Sequence, residues 1–496
     1  VLNEKINDID ALFCHLNTYG DNRHLIFQNK QYTFKQLLQY SECICQWIEK
    51  NAFQHIMFSL KNSPLNIALY LGAWKAGVHL TPINPRLIDH ELIEILKRSP
   101  PCALVLEHSQ QSEKLDQLCH LLDTQFFSIT DPLEFLNTLP YSKSTSKLAI
   151  KAPESVITYH ISSGTGGIYK LHGHALTQIF DYMYKRQFDL GLTAQDTLLI
   201  SLSINHAYAF SYQLLPALAL GLNMVILPEF SLKEVIDNIQ AHHISALALL
   251  PTMYYFLFNE IERLSIDNTL NLSSLRFLSV AGDQTHQSLM IKSKQLLGLS
   301  LSNGIGMTEL YGYSQNTTLP SAYNAVKVFD DVNVKIEPIK NHTETEQSHK
   351  KTGEVWIQSP MQPVNDKRQW LPTGDFGFID SDHNLYFLGR IKDIIIKGGS
   401  NIAPIEIEHY LYQMPEIREV YVLGKKDKIW GEIVCACISA TKHISKEELN
   451  QHLSQFISAY KMIDEIVLFD TLPKNVTGKI DRYRLREHIH GNLILG

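Results

Sequence analysis

Four short stretches hold the residues best able to do chemistry. The first, Ser162-Ser163-Gly164-Thr165-Gly166-Gly167-Ile168-Tyr169-Lys170, puts hydroxyls and glycines ahead of a lysine. Backbone N–H groups and hydroxyls in such a loop can donate to phosphate oxygens, and the ammonium neutralises charge. Lys170 is not followed by Ser or Thr, so the Walker pattern is absent. The second, Gly304-Ile305-Gly306-Met307-Thr308-Glu309, joins a glycine frame that lets a flat ligand lie on the backbone to a hydroxyl–carboxylate pair. Glu309 suits a hard cation and Thr308 a phosphate. The third and fourth, Gly374-Asp375 and Gly478-Lys479, each set one charge in a glycine turn. Taken alone they read as a turn between strands and a solvated lysine.

The elements that must carry these groups alternate between strand and helix. Leu25–Phe34 reads as a hairpin turning at Gln28-Asn29-Lys30, and Phe34–Ile48 repeats apolar residues at helical spacing. Strand-like Ile56–Leu60, helical Ile67–Ala76, a strand within Gly77–Pro85 and strand-like Ala103–Leu106 follow. This alternation predicts a parallel sheet with helices on its faces. A polar stretch at Lys143–Pro153 reads as a linker to a second α/β half, whose strand Ser155–Ile161 runs into the phosphate-suited loop. Ala246–Leu250 and Leu275–Val280 read as buried strands, the second ending at Ala281-Gly282-Asp283. Val332–Ile336 and Gly353–Ile357 are strand-like, with a polar surface loop, Lys340–Lys351, between them. In Gly389–Glu408 a charged turn meets the Ile394–Ile396 strand, then the Gly398-Gly399 pair, then a helix start at Pro404.

The order of these stretches resembles that of the adenylate-forming superfamily: acyl- and aryl-CoA ligases, adenylation domains and luciferases. The resemblance spans essentially the whole chain. Gly389–Glu408 looks like the superfamily's hinge, with Lys392 at the pivot and Gly398 and Gly399 lining a thiol tunnel. The resemblance implies an N-terminal AMP-binding domain over residues 1–388, in subdomains of about 1–150, 151–320 and 321–388. Two doubly wound sheets and a small β-barrel are expected there. A mobile α+β domain is expected over residues 389–496. The implied function is an ATP- and Mg²⁺-dependent ligase that adenylates a carboxylic acid and passes it to coenzyme A. Ser162, Ser163, Gly164, Thr165, Gly166 and Lys170 would hold the β- and γ-phosphates. Gly304 and Ile305 would face adenine, Asp375 and Arg390 the ribose. Thr308 and Glu309 would act at the phosphates, with Glu309 holding the metal, and Lys479 would be the catalytic lysine.

Departures from the superfamily's pattern mark this chain. Gly166 stands where its phosphate loop has a second hydroxyl, Tyr169 where it has proline, Leu171 where it has glycine, and Ile305 where the Tyr-Gly-x-Thr-Glu motif has tyrosine. The Gly304-Ile305-Gly306 form is similar to the benzoate-CoA ligase branch. His206, Tyr208 and Phe210 resemble the gate lining the acyl site, with Ala281, Gly282 and Gly306 as further pocket residues. The same pattern of rings also suits a helix start packing into the core. No aspartate in this segment offers itself to a substrate amine, which points away from an α-amino acid and toward an aryl or compact acyl acid. His172 and His174, just past the loop, are given no role. Two other readings stay open. One is a stand-alone adenylation enzyme that loads the phosphopantetheine of an acyl carrier protein. The other is a non-catalytic nucleotide-binding homologue.

Composition narrows the class. With 496 residues, 45% hydrophobic and 19% charged, the chain suits a soluble protein of several domains. A net charge of −7 argues against a nucleic-acid surface. The seven cysteines include Cys43/Cys45 and Cys435/Cys437, whose spacing suits neither a zinc site nor a redox motif. They read as buried thiols of a reducing, cytoplasmic compartment. No apolar run reaches the roughly 20 residues of a membrane span, and Val1–Lys5 shows no signal-peptide pattern.

Overall fold

A computed structural model describes residues 5–139, 152–163, 169–265, 270–283, 285, 287–316, 325–339, 352–474 and 480–491. The linker expected at Lys143–Pro153 lies almost wholly outside these residues, and so does the Lys340–Lys351 loop. The chain packs as two compact units: residues 1–282, 296–318 and 359–367 form one, and residues 283–295, 319–358 and 368–496 the other. Among the described residues no helix is long and apolar enough to cross a membrane.

Two sheets build the first unit. The smaller runs in the order Gln125–Ile129, Ala103–Glu107, His55–Ser59, His79–Pro82, Ile157–Ser163, Tyr169–Ala175. Its first five strands are parallel, and the last returns antiparallel from the phosphate-suited loop. The larger runs Tyr311–Gln315, Leu301–Met307, Phe277–Val280, Ala246–Leu249, Thr197–Ile200, Asn223–Ile226, His24–Phe27, Lys30–Thr33. Six parallel strands are flanked here by an antiparallel strand at each edge.

The local causes are plain at several elements. Gln28 and Asn29 take positive φ, the conformation a tight two-residue hairpin needs, and join His24–Phe27 to Lys30–Thr33. Helix Phe34–Lys50 starts at a capping box in which Thr33 and Gln36 satisfy each other's backbone N–H. Helix Pro64–Lys75 opens on proline and is buried on every side from Pro64 to Trp74. It therefore sits in the interior rather than on a solvated face.

The second unit holds the remaining sheets. Ala325–Lys327, Asn384–Arg390, Leu371–Ile379, Gly353–Gln358 and Asn333–Glu337 form one antiparallel sheet in that order. The expected barrel is not closed: among the described residues, edge strands Ala325–Lys327 and Asn333–Glu337 do not pair. Closure needs a full ladder between the edges, and Ala325–Lys327 is only three residues long. The Asn333–Glu337 edge carries Lys335, whose ammonium lies 4.9 Å from the Trp356 ring and 5.0 Å from Trp370. A charged residue on an exposed edge discourages further pairing.

In the C-terminal sheet, Gly431–Ala440 pairs with Ile417–Asp427, Glu465–Leu468 and the end of Ile395–Lys397. Helices Pro404–Leu411 and Lys446–Leu453 cover one face through Ile407, Leu411, Leu449 and Leu453. Leu485 and Ile489 of helix Arg482–Ile489 cover the other, over Tyr421, Leu423, Cys435 and Cys437. All seven cysteines are unbridged, and Cys43, Cys45, Cys119, Cys435 and Cys437 are buried.

Candidate active site

Strand alternation sets the site in the first unit. Lys170, His172 and His174 lie on one face of Tyr169–Ala175, because side chains repeat every second residue. Ser162 pairs with Lys170, and His160 with His172, across the antiparallel ladder. Both ends of the loop thus leave from one hairpin.

Ser162 Oγ is 2.7 Å from His172 Nε2, and that nitrogen is 3.4 Å from Glu309 Oε1. One imidazole therefore stands between a phosphate-suited hydroxyl and the candidate metal ligand. His174 donates Nε2–H to the Glu309 carbonyl at 2.9 Å. Burial, the largest influence, pushes His174 down to about 4 and leaves its ring neutral. His160 is fully buried, held well below the usual histidine range by desolvation, and accepts the Tyr311 hydroxyl at 3.1 Å. Sequence reasoning left His172 without a role. Its signal was the period-two run Lys170, His172, His174 beyond the loop.

Thr308 and Glu309 sit in the turn between strands Leu301–Met307 and Tyr311–Gln315, where Leu310 N–H bonds the Met307 carbonyl. The glycines of this hairpin answer to close neighbours. A Cβ on Gly304 would stand 3.0 Å from the Tyr212 hydroxyl, and one on Gly306 would stand 2.5 Å from the Tyr311 carbonyl. The Tyr212 hydroxyl donates to the Ser314 carbonyl at 2.7 Å. Protein backbone atoms alone thus account for glycine at 306, while at 304 they leave a Cβ a tight fit.

The gate residues separate into two roles. His206 caps the short helix Ala207–Ala209, its Nδ1 accepting Tyr208 N–H at 3.3 Å. Tyr208 lies near Gly282, where an added Cβ would come 3.7 Å from the ring and 2.9 Å from Leu250. Gly282 has φ of +88° and follows buried Ala281 at the end of Phe277–Val280. Phe210 has no exposed surface. Its ring stacks on Tyr70 at 5.0 Å and meets His160 at 4.8 Å and Tyr311 at 5.6 Å. It packs the core behind this segment.

In the second unit, Asp375 is buried in strand Leu371–Ile379 opposite Arg390. Arg390 Nη1 donates to the Thr373 carbonyl at 2.8 Å and stands 2.9 Å from Asp375 Oδ1. Asp375 Oδ1 nonetheless has no hydrogen bond of proper geometry. Burial pushes its carboxyl up to about 6, against the opposing pull of Arg390 and Thr373. An orphaned buried carboxylate oxygen beside a cation fits a hydroxyl-bearing ligand, because each O–H would supply the missing donor.

Lys392 is the exposed middle residue of a single 3₁₀ turn, Ile391–Asp393. Asp393 behind it is buried and bound by Arg482 at 3.0 Å and by Arg486. Gly398 and Gly399 have φ of +57° and +81° and make the turn between Ile395–Lys397 and Ser400–Ile402. A Cβ on Gly398 would come 2.8 Å from the Trp430 ring, while Gly399 faces open space. Gly164, Thr165, Gly166 and Lys479 lie outside the described residues, as does the side chain of Ser163.

Among the described residues no group of three His, Cys, Asp or Glu could cage a metal. The Glu309 carboxylate still suits Mg²⁺, which is commonly held by one or two carboxylates together with substrate phosphates.

Comparison with known proteins shows the family of the chain. The profile of the AMP-binding enzyme family matches residues 13–362, and that of the AMP-binding enzyme C-terminal domain matches residues 406–479. A 2-succinylbenzoate–CoA ligase of Lactococcus lactis subsp. lactis is 29% identical, over 89% of this chain and 100% of its own length. A 4-coumarate–CoA ligase 1 of Oryza sativa subsp. japonica is 26% identical, over 88% of this chain and 82% of its own. ATP-bound MatB from Rhodopseudomonas palustris shares the fold with a TM-score of 0.85 at 19% identity, over 99% of this chain and 100% of its own. With the family profile covering most of its length and a second one covering its C-terminal part, the chain belongs to the AMP-binding enzyme family.

Proposed function

We propose that this protein is an ATP-dependent acid–thiol ligase that adenylates a compact aromatic or acyl carboxylic acid and transfers it to coenzyme A. The observation that carries this reading is the Ser162–His172–Glu309 arrangement, a phosphate-suited hydroxyl and a hard-cation carboxylate on either side of one imidazole. The curated relatives are named as coenzyme A ligases of 2-succinylbenzoate and 4-coumarate, both aromatic acids.

In the first half-reaction a carboxylate oxygen attacks the α-phosphorus of ATP, and the bond to pyrophosphate breaks. Ser162, Ser163, Gly164, Thr165, Gly166 and Lys170 hold the β- and γ-phosphates. Glu309 and Thr308 act beside them. Mg²⁺, when bound, neutralises phosphate charge. Ile305 offers adenine an apolar contact, Asp375 takes the ribose hydroxyls with Arg390 beside it, and Lys479 bridges the carboxylate and the α-phosphate. In the second half-reaction the thiol sulfur attacks the acyl carbon, the bond to AMP breaks, and the thiol proton leaves to solvent. A turn of the chain at Lys392 exchanges Lys479 for the Gly398-Gly399 tunnel. The protein does little covalent work, so catalysis is positioning and charge stabilisation. His206, Tyr208, Ala281 and Gly282 wall the acid, with Phe210 packed behind them.

The test is pyrophosphate release with benzoate, a hydroxylated cinnamate, hexanoate and palmitate, followed by AMP release on adding coenzyme A. The expected result is the highest kcat/KM with an aromatic acid and thioester formed with free coenzyme A. A properly housed methylene adds up to about 0.8 kcal/mol, so palmitate exceeding hexanoate by orders of magnitude would overturn the compact-acid reading. Adenylation that free coenzyme A cannot discharge, but a phosphopantetheinylated carrier can, would overturn the choice of acceptor. ATP binding without acid-dependent pyrophosphate release would overturn the enzymatic reading.

A further inference from the structure

Tyr169 opens the strand Tyr169–Ala175 at the exit of the phosphate-suited loop, and its partners assign it a use. Its hydroxyl donates to Glu91 Oε1 in helix Asp89–Arg98. The other Glu91 oxygen accepts Ile88 N–H at 3.0 Å, closing the helix's own N-terminal turn. Glu91 is therefore fixed at both oxygens. At the far end of the same helix, Arg98 Nη1 lies 3.4 Å from the Tyr169 carbonyl. The ring packs against the apolar cluster that includes Leu92, Ile95 and Leu96 of this helix. Burial and the bond to Glu91 raise the phenol far above its ordinary range, so it stays a donor at any working pH. On the other side, Tyr169 pairs with Ser163 in the ladder that also pairs Ser162 with Lys170.

We propose that Tyr169, Glu91 and Arg98 form a strap that holds the exit of the phosphate loop, with Tyr169 as a positioning residue for ATP. A phenol carries one proton. Given to Glu91, it is not offered to phosphate, so Tyr169 does not replace the hydroxyl missing at Gly166. It acts instead through Lys170 and the ladder, fixing where the ammonium and the Ser162 hydroxyl stand before ATP arrives. Preorganisation of this kind lowers the ordering cost of binding. Its loss should weaken nucleotide binding without touching a later step that needs no phosphate loop.

The inference rests on the reading of residues 162–170 as the phosphate loop, and the experiment separates the two. Tyr169→Phe keeps the ring and removes only the O–H. Its KM for ATP in pyrophosphate release should rise roughly tenfold to a hundredfold, the scale of one hydrogen bond to a charged acceptor. The rate of thioester formation from supplied acyl-AMP should not change. Glu91→Ala should raise KM as much. Glu91→Gln, which keeps an acceptor oxygen, should recover most of the loss. The double variant Tyr169→Phe/Glu91→Ala should be no worse than either single change, because both break the same bond. A rise in KM for ATP on Lys170→Ala beside an unchanged KM in Tyr169→Phe would overturn the strap and leave the loop reading standing. ATP use insensitive to Lys170→Ala would overturn the loop reading itself. Additive effects of Tyr169→Phe and Glu91→Ala, or equal slowing of both half-reactions, would reduce Tyr169 to a packing residue.

Discussion

Asp375→Asn separates what burial costs this site from what the site gains by it. The carboxyl has almost no exposed surface, and burial lifts it from 3.8 to about 6. A displacement of that size corresponds to roughly 3 kcal/mol between the two protonation states. The folded value lies above the unfolded one, so the native state holds the proton more tightly. The ionised carboxylate therefore destabilises the fold fully above about pH 6, and the cost disappears below about pH 4. Asparagine keeps the shape and sheds the charge. It also leaves Arg390 unpaired, a small loss because that side chain is 42% exposed. Denaturant unfolding at pH 8 should show the variant more stable than wild type by roughly 1–3 kcal/mol, with the gain fading as pH falls to 4. In the proposed ribose role of Asp375, the same change replaces a charged acceptor of two hydroxyls by an amide with one acceptor oxygen. KM for ATP should rise roughly tenfold to a hundredfold. Lower stability at pH 8 would refute the burial argument. A gain in stability with unchanged ATP use would refute the ribose assignment.

Two further outcomes are expected. Lys479→Ala should abolish acyl-AMP formation and spare thiolysis of supplied acyl-AMP, as single-turnover assays of each step would show. Equal damage to both steps would remove the single-step role. Glu408 is fully buried, its carboxyl is pushed up to about 7 chiefly by desolvation, and Oε1 accepts Val422 N–H at 2.8 Å. Its folded value is again the raised one, so wild-type stability should fall as pH rises from about 4.5 through 7. Glu408→Gln keeps the acceptor, and its thermal unfolding should show a higher Tm than wild type at pH 8 and a much smaller difference at pH 5.

The sequence by itself determined what depends on neighbours along the chain. Gln28-Asn29 specified a tight hairpin, Thr33 with Gln36 a helix start, Pro404 a helix start, and Gly398-Gly399 a turn with positive φ. Each is a matter of a few dihedrals and one or two hydrogen bonds, so local chemistry suffices. The phosphate-suited loop, Glu309 and Asp375 were legible in the same way, as residue types in short frames.

Tertiary structure alone decided which strands pair across long separations. His24–Thr33 leaves its own half of the chain to lie against Asn223–Ile226, while Ile157–Ala175 completes the sheet of His55–Ser59 and His79–Pro82. An apolar strand carries no label for its partner, so only packing of the whole core selects one. For the same reason no local pattern announced that Tyr169 would reach Glu91, 78 residues away, and the period-two run through His172 did not tell that its ring would stand between Ser162 and Glu309. Nor could it tell Phe210, sealed against Tyr70 and His160, from Tyr208 beside Gly282: both rings are buried, and only their packing partners separate them.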